Sequence, residues 1–252
     1  MKQTQKVSIL GFEISKIRMK EVLDKIEKFL EDGKTHTIVL LNPYLLLEAR
    51  KYPEYAEYIK NADLVTADGF GLLLAARFFG DCFPERVTGT DLMPLLGKLC
   101  QEKKYRMFFL GGKPGIAEKA KEKFERQFQG INIVGTHHGY FSVEEEPKIV
   151  NNINMKKTDI LIVCMGAYKQ EMFIKRHIHE LNIPLCFGNG AAFDFVAGRF
   201  KRAPGWMQRI GIEWVWRLLL EPQRLWKRYL IGNTVFLLLV MKELMKKLME
   251  EG

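Results

Sequence analysis

The chain has no Asp-x-Asp pair, no Cys-x-x-Cys, no Gly-x-x-x-x-Gly-Lys-Ser/Thr and no complete Gly-x-Gly-x-x-Gly with an acid on the next strand. Each absence removes a chemistry. Without paired acids, a bound diphosphate has to be met by Arg, Lys and backbone donors, not through Mg²⁺ or Mn²⁺. Without the dinucleotide fingerprint, an NAD-dependent oxidoreductase is a poor reading. The only cysteines, Cys82, Cys100, Cys164 and Cys186, lack zinc-like spacing and read as buried or semi-buried thiols in a reducing compartment. His137 and His138 are adjacent and His177 and His179 lie two apart, so neither pair shares a helix face. No metal and no cofactor are expected.

Long apolar runs are missing too. The first ten residues contain no apolar stretch of signal-peptide length, so a cytoplasmic location is expected. The charge-free run 229–241 has thirteen residues, against the roughly 18 to 20 that a membrane-spanning helix needs. It has the length to lie on a membrane and not to cross one. No internal repeat or low-complexity tract is present.

What is abundant is concentrated. All four tryptophans, Trp206, Trp214, Trp216 and Trp226, fall within residues 199–228, where eight Lys and Arg face only Glu213 and Glu221. This segment carries +6 of the formal +9, leaving +3 for the other 222 residues. Indoles favour the boundary between water and hydrocarbon, and guanidinium groups pair with phosphate. The segment suits an anionic membrane surface or a phosphorylated lipid, and nucleic-acid binding by the rest of the chain has little support.

At 252 residues the chain can bury one sizeable core. Residues 7–10 and 12–15 read as a hairpin around Gly11. Apolar strands at 36–41, 63–66, 106–110, 131–134, 160–165 and 184–187 then alternate with helical periodicity. That rhythm predicts an α/β, Rossmann-like parallel sheet with helices on both faces and a ligand crevice at the carboxyl ends of the strands. Pro204-Gly205 breaks the rhythm, so residues 1–202 are expected to form the Rossmann-like domain and 203–252 a helical, membrane-associating appendage. In the appendage 205–220 reads as one helix and Pro222 starts another. Leu237, Met241, Leu244, Met245 and Leu248 make an apolar stripe on the last.

The candidate chemistry sits in the loops. Asp68, after a strand and among small residues, is placed to act as a general base, or else caps the helix beginning at Gly69. Gly111-Gly112-Lys113-Pro114-Gly115 joins a strand to a helix and is either a phosphate or ribose cradle or a plain tight turn. Gly188-Asn189-Gly190 with Asp194 carries the same two readings. Arg86 either offsets diphosphate charge or is simply solvated.

Taken together, the Asp68-Gly69 loop, Pro84-Glu85-Arg86-Val87-Thr88-Gly89-Thr90-Asp91, Gly135-Thr136-His137-His138-Gly139-Tyr140-Phe141, Gly166-Ala167-Tyr168-Lys169-Gln170-Glu171, Phe193-Asp194-Phe195-Val196-Ala197-Gly198 and Lys201-Arg202-Ala203-Pro204 resemble the WecG/TagA/CpsF glycosyltransferases. The resemblance extends to Glu213-Trp214, Arg217, Glu221-Pro222 and Arg224. It implies inverting transfer from a UDP-sugar donor to an undecaprenyl-diphosphate-linked acceptor at the inner face of the membrane, in teichoic acid, common antigen or exopolysaccharide synthesis. It further implies that Asp68 is the base, that Gln170 lines the site and that Arg217 and Arg224 close over it to meet the diphosphate; Arg86, read from its own loop, is expected to join these catalytic residues. The substrates would be held by Asn42, Gly111, Gly112, Tyr168, Gly188, Asn189, Gly190, Asp194 and Arg228. N-acetylmannosamine is the first expectation for the sugar, ahead of glucose, glucuronate and N-acetylmannosaminuronate. One departure is Leu40, where teichoic-acid members carry Thr. A homo-oligomer is compatible with the sequence. The competing class is a non-enzymatic peripheral membrane or RNA-binding protein.

Overall fold

The computed structural model describes residues 4–251. β1 (Lys6–Ile9) and β2 (Phe12–Ser15) form an antiparallel hairpin whose turn residues Leu10 and Gly11 both have positive φ, the geometry of a two-residue primed turn. Next come α1 (Met19–Glu31), β3 (His36–Leu41), α2 (Pro43–Lys51), α3 (Pro53–Asn61), β4 (Leu64–Ala67), α4 (Phe70–Phe78) and α5 (Gly89–Lys103). β5 (Arg106–Gly111), α6 (Ile116–Gln127), β6 (Asn132–His137), α7 (Glu146–Met155), β7 (Ile160–Cys164), α8 (Lys169–His177), β8 (Leu185–Gly188) and α9 (Ala192–Val196) complete the sheet and its helices.

The six long-range strands form one parallel sheet in the order β4-β3-β8-β7-β5-β6. Strand periodicity divides its side chains between two apolar layers. Val39, Leu41, Phe108, Leu110, Leu161 and Val163 pack on one face; Ile38, Leu40, Met107, Phe109, Ile160 and Ile162 pack on the other. A sheet buried on both faces needs such unbroken apolar strands, and helices cover both layers. The α/β expectation therefore holds. All carboxyl ends point to one edge, where the connecting loops gather.

Two local expectations are corrected. β6 runs on through Gly135 to His137, because a glycine there lets the Phe108 ring pack flush: a Cβ would sit 2.4 Å from it. Residues 205–220 are not one helix. α10 (Gly205–Arg209) and α11 (Glu213–Leu220) are separated at Gly211, whose φ of +80° a helix does not admit and against whose Cα the Phe70 ring packs.

α12 (Pro222–Trp226) follows as Pro222 foretells, and a turn of π-helix at Lys227–Ile231 leads into α13 (Gly232–Glu251). α13 lies on α2 and α4, burying Phe236 and Val240. Leu237, Met241, Met245 and Leu248 of the expected stripe stay exposed, as do Trp206, Leu219, Trp226 and Leu230. Among the described residues, no helix is long and apolar enough to cross a membrane.

Candidate active site

The loops after the strands and the C-terminal helices enclose a cleft of about 1110 Å³. Asp68 lines it, directly after β4. Its backbone N–H donates to the Leu41 carbonyl (2.6 Å), tying the β4 and β3 ends together. The adjoining Gly69 enters α4 at a φ of +117° with no side-chain cap, so the capping alternative for Asp68 falls away. Burial in the cleft wall pushes the Asp68 carboxyl up to about 7. Arg86 and Arg228 pull it down, and Glu213 and Asp91 push it further up.

Asn42, at the end of β3, accepts the N–H groups of Tyr44 and Leu45 through Oδ1, each at 3.1 Å, and so caps α2. It lines the cleft beside Leu40 and Gly69. Gln170 is buried, and both ends of its amide are engaged. Oε1 accepts the Gly190 N–H at 3.0 Å, and Nε2 donates to Glu171 at 2.7 Å. Gly188 is glycine because a Cβ there would lie 2.4 Å from Nε2 of Gln170. Asn189 pins the same loop to α5 by donating to the Gly89 carbonyl at 3.2 Å. The glycine-rich turn at 188–190 is thus held rigidly along the cleft, with its backbone open to a ligand.

The second glycine turn splits in role. Gly112 and Lys113 line the cleft, whereas Gly111 lies under it: a Cβ there would sit 2.4 Å from the Cys164 carbonyl oxygen. Gly111 is needed for close packing of β5 on β7. Tyr168 also departs from expectation. Its ring packs on Tyr52 and Tyr55, and its hydroxyl donates to Glu54 at 2.8 Å, so the side chain faces α3 and not the cleft. Asp194 lines the cleft with its carboxylate paired to Arg199 at 2.8 Å.

Three arginines of the C-terminal helices converge here. Arg217 is buried, donates to Glu221 at 3.0 Å and lies over the rings of Phe195 and Phe200. Its Nη1 has no protein partner. Arg228 lies 4.4 Å over the Tyr44 ring, with Nε unpartnered. Arg224, exposed, shares Glu221 at 2.5 Å. Arg86 reaches the cleft as well but is paired with Glu213 at 3.2 Å.

Glu213 and Glu221, which a charge count registers only as deficits in a basic segment, are the carboxylates that pair with these arginines. Of the cysteines, Cys100, Cys164 and Cys186 are buried, which pushes the Cys100 thiol up to about 12, while Cys82 is exposed. Among the described residues, no three His, Cys, Asp or Glu side chains converge as metal ligands would.

A Rossmann-like sheet, a carboxyl raised by burial and several guanidinium groups thus meet at one cleft. The chain belongs to the glycosyl transferase WecG/TagA/CpsF family, whose profile matches residues 7–250. It is similar to proteins named N-acetylglucosaminyldiphosphoundecaprenol N-acetyl-beta-D-mannosaminyltransferase. The one from Bacillus spizizenii is 33% identical over 80% of this chain and 77% of the relative. Those from Bacillus subtilis and Staphylococcus aureus are each 30% identical, over 88% and 89% of this chain and 85% and 87% of the relatives.

Proposed function

We propose that this glycosyltransferase moves N-acetylmannosamine from a UDP-sugar to an N-acetylglucosamine carried on a polyprenyl diphosphate, with inversion and without a metal ion. The carrying observation is Asp68: a carboxyl in the cleft, free of capping duty and raised to about 7, beside guanidinium donors that lack protein partners. Asp68 takes the proton of the acceptor hydroxyl as its oxygen forms the bond to the anomeric carbon. The bond from that carbon to the UDP oxygen breaks on the opposite face, so the configuration inverts. Arg217, Arg228 and Arg224, with the backbone donors of the glycine turns, meet the departing diphosphate. Asn42 orients sugar hydroxyls, and Gln170 and Asn189 hold the 188–190 turn in place. The names of the bacterial relatives support this donor sugar and acceptor.

Apolar side chains also line the cleft, among them Leu74 and Phe78 of α4 and Leu237 of α13. A diphosphate esterified to a prenyl chain fits a cavity with both cationic and apolar lining. Residues 203–252 act as an appendage that both docks on anionic lipid through the exposed Trp and Leu side chains and closes the site over residues 1–202. The protein would then sit on the inner membrane face as a peripheral enzyme of surface-polymer synthesis. The test is a panel of UDP-sugars, N-acetylmannosamine, glucose, glucuronate and N-acetylmannosaminuronate, assayed against a synthetic polyprenyl-diphosphate-N-acetylglucosamine. Transfer from the N-acetylmannosamine donor ahead of the others is the expected result; transfer from none, or lipid-independent nucleotide release, refutes it.

A further inference from the structure

The charges of the C-terminal helices and of the sheet domain meet at Glu213. It is the first residue of α11, a position where a helix favours an anionic side chain. Its Oε2 accepts Arg86 at 3.2 Å, and its Oε1 accepts Arg202 through Nε and Nη2, each at 3.4 Å. Arg202 is simultaneously tied to Asp91, whose other oxygen accepts the Thr88 hydroxyl at 2.6 Å. The side chains of Glu213 and Arg86 are only 16% and 18% exposed, so this pair is shielded in a way that a surface ion pair is not.

We propose that Glu213 is a positioning residue for the transfer reaction: by pairing with Arg86 and Arg202 it seats α11 on the body, and it offsets the Arg86 charge that faces Asp68, so the base is poised when the C-terminal helices are docked. The proposal rests on the reading of Asp68 as the base. The charged groups facing Asp68 are Arg86 and Arg228 on one side of the balance, Glu213 and Asp91 on the other. Asp91 belongs to the body, in α5, and shares Arg202 with Glu213. Glu213 is therefore the anionic member that docking supplies. Its removal leaves Arg86 uncompensated beside Asp68, which favours the ionised carboxylate and makes it a weaker base.

The test is the pH profile of kcat/KM on a soluble, short-chain diphosphate acceptor, for wild type, Glu213→Gln, Arg86→Gln, the double variant and Glu213→Asp. The acid limb should fall by about one pH unit in Glu213→Gln and rise by a similar amount in Arg86→Gln. In the double variant it should return close to the wild-type position, and Glu213→Asp, which keeps the charge, should stay there. A lowered rate in Glu213→Gln with an unmoved limb would show that Glu213 only holds the helix, and would overturn the proposal. So would shifts of Glu213→Gln and Arg86→Gln in the same direction. If Glu213→Gln is too slow to profile, the rise in Arg86→Gln and the constancy of Glu213→Asp decide it, and failure of either counts against it. A wild-type enzyme with no transfer activity would instead defeat the functional reading itself.

Discussion

The guanidinium of Arg217, on α11, lies 4.7 Å from the ring centroid of Phe195, on α9, and 4.9 Å from that of Phe200. This stack couples the appended helices to the loop that follows the last strand. It also fixes which way the remaining donor points. One nitrogen is spent on Glu221 and the aromatic faces hold the plane, which leaves Nη1 buried without a partner at the cleft. Burial lowers the Arg217 pKa from its ordinary value, so a phosphate oxygen at that donor would relieve a real desolvation cost.

Arg217→Ala should therefore lower turnover by about 10²-fold on a short, soluble acceptor that needs no membrane, the usual loss for one preorganised donor. Arg217→Lys should recover little, since an ammonium cannot stack and fork as a guanidinium does. Arg224, exposed and tied to Glu221, should cost less when changed to Ala. Wild-type rates for Arg217→Ala on the soluble acceptor would limit the C-terminal helices to anchoring.

Activity should persist in excess EDTA, because Arg and backbone donors are assigned the work that a divalent cation performs elsewhere. The check is turnover before and after chelation. Loss restored by Mg²⁺ or Mn²⁺ contradicts the assignment.

Binding to anionic vesicles should weaken as salt rises and largely vanish when the chain is truncated after Arg202, as expected for cations worth about 1 kcal/mol each near the surface and screened by salt. The exposed Trp206, Trp226, Leu230 and Leu238 add an apolar contribution that salt does not screen. Cosedimentation with and without anionic lipid measures both parts. Salt-independent binding, or none, removes the membrane role.

The sheet was legible in the sequence because stretches such as residues 38–41 and 160–164 are buried on both faces and thus apolar at every position. The ends of the crevice were legible too, since Asn42, Asp68 and Gly112 directly follow β3, β4 and β5, and Gly188 ends β8. What sequence could not show is direction. Tyr168 stands two residues before Gln170, at the start of α8, yet a φ of +70° at its own Cα turns the ring onto Tyr52 and Tyr55. Gly111 and Gly112 are adjacent glycines, and only the approach of Cys164 separates a packing role from a lining one. The pairing of Arg86 with Glu213 spans 127 positions, and no local pattern encodes it.

Asp68 also has a consequence for stability. Its pKa in the folded chain, about 7, lies above the ordinary 3.8, so between those values the folded state binds more protons than the unfolded one, and stability contributed by this group falls as pH rises. Asp68→Asn should thus unfold at a higher temperature than wild type at pH 8, with the gain shrinking as pH drops towards 4. Thermal melts across that range check the sign.

The most direct test of the account is the turnover of Asp68→Asn, measured together with its affinity for UDP. UDP binding near wild type is expected, with a turnover lowered by about 10²-fold or more, the size of a general-base contribution, while the wild-type rate rises through an acid limb near pH 7. A folded Asp68→Asn protein that keeps most of its turnover would contradict it.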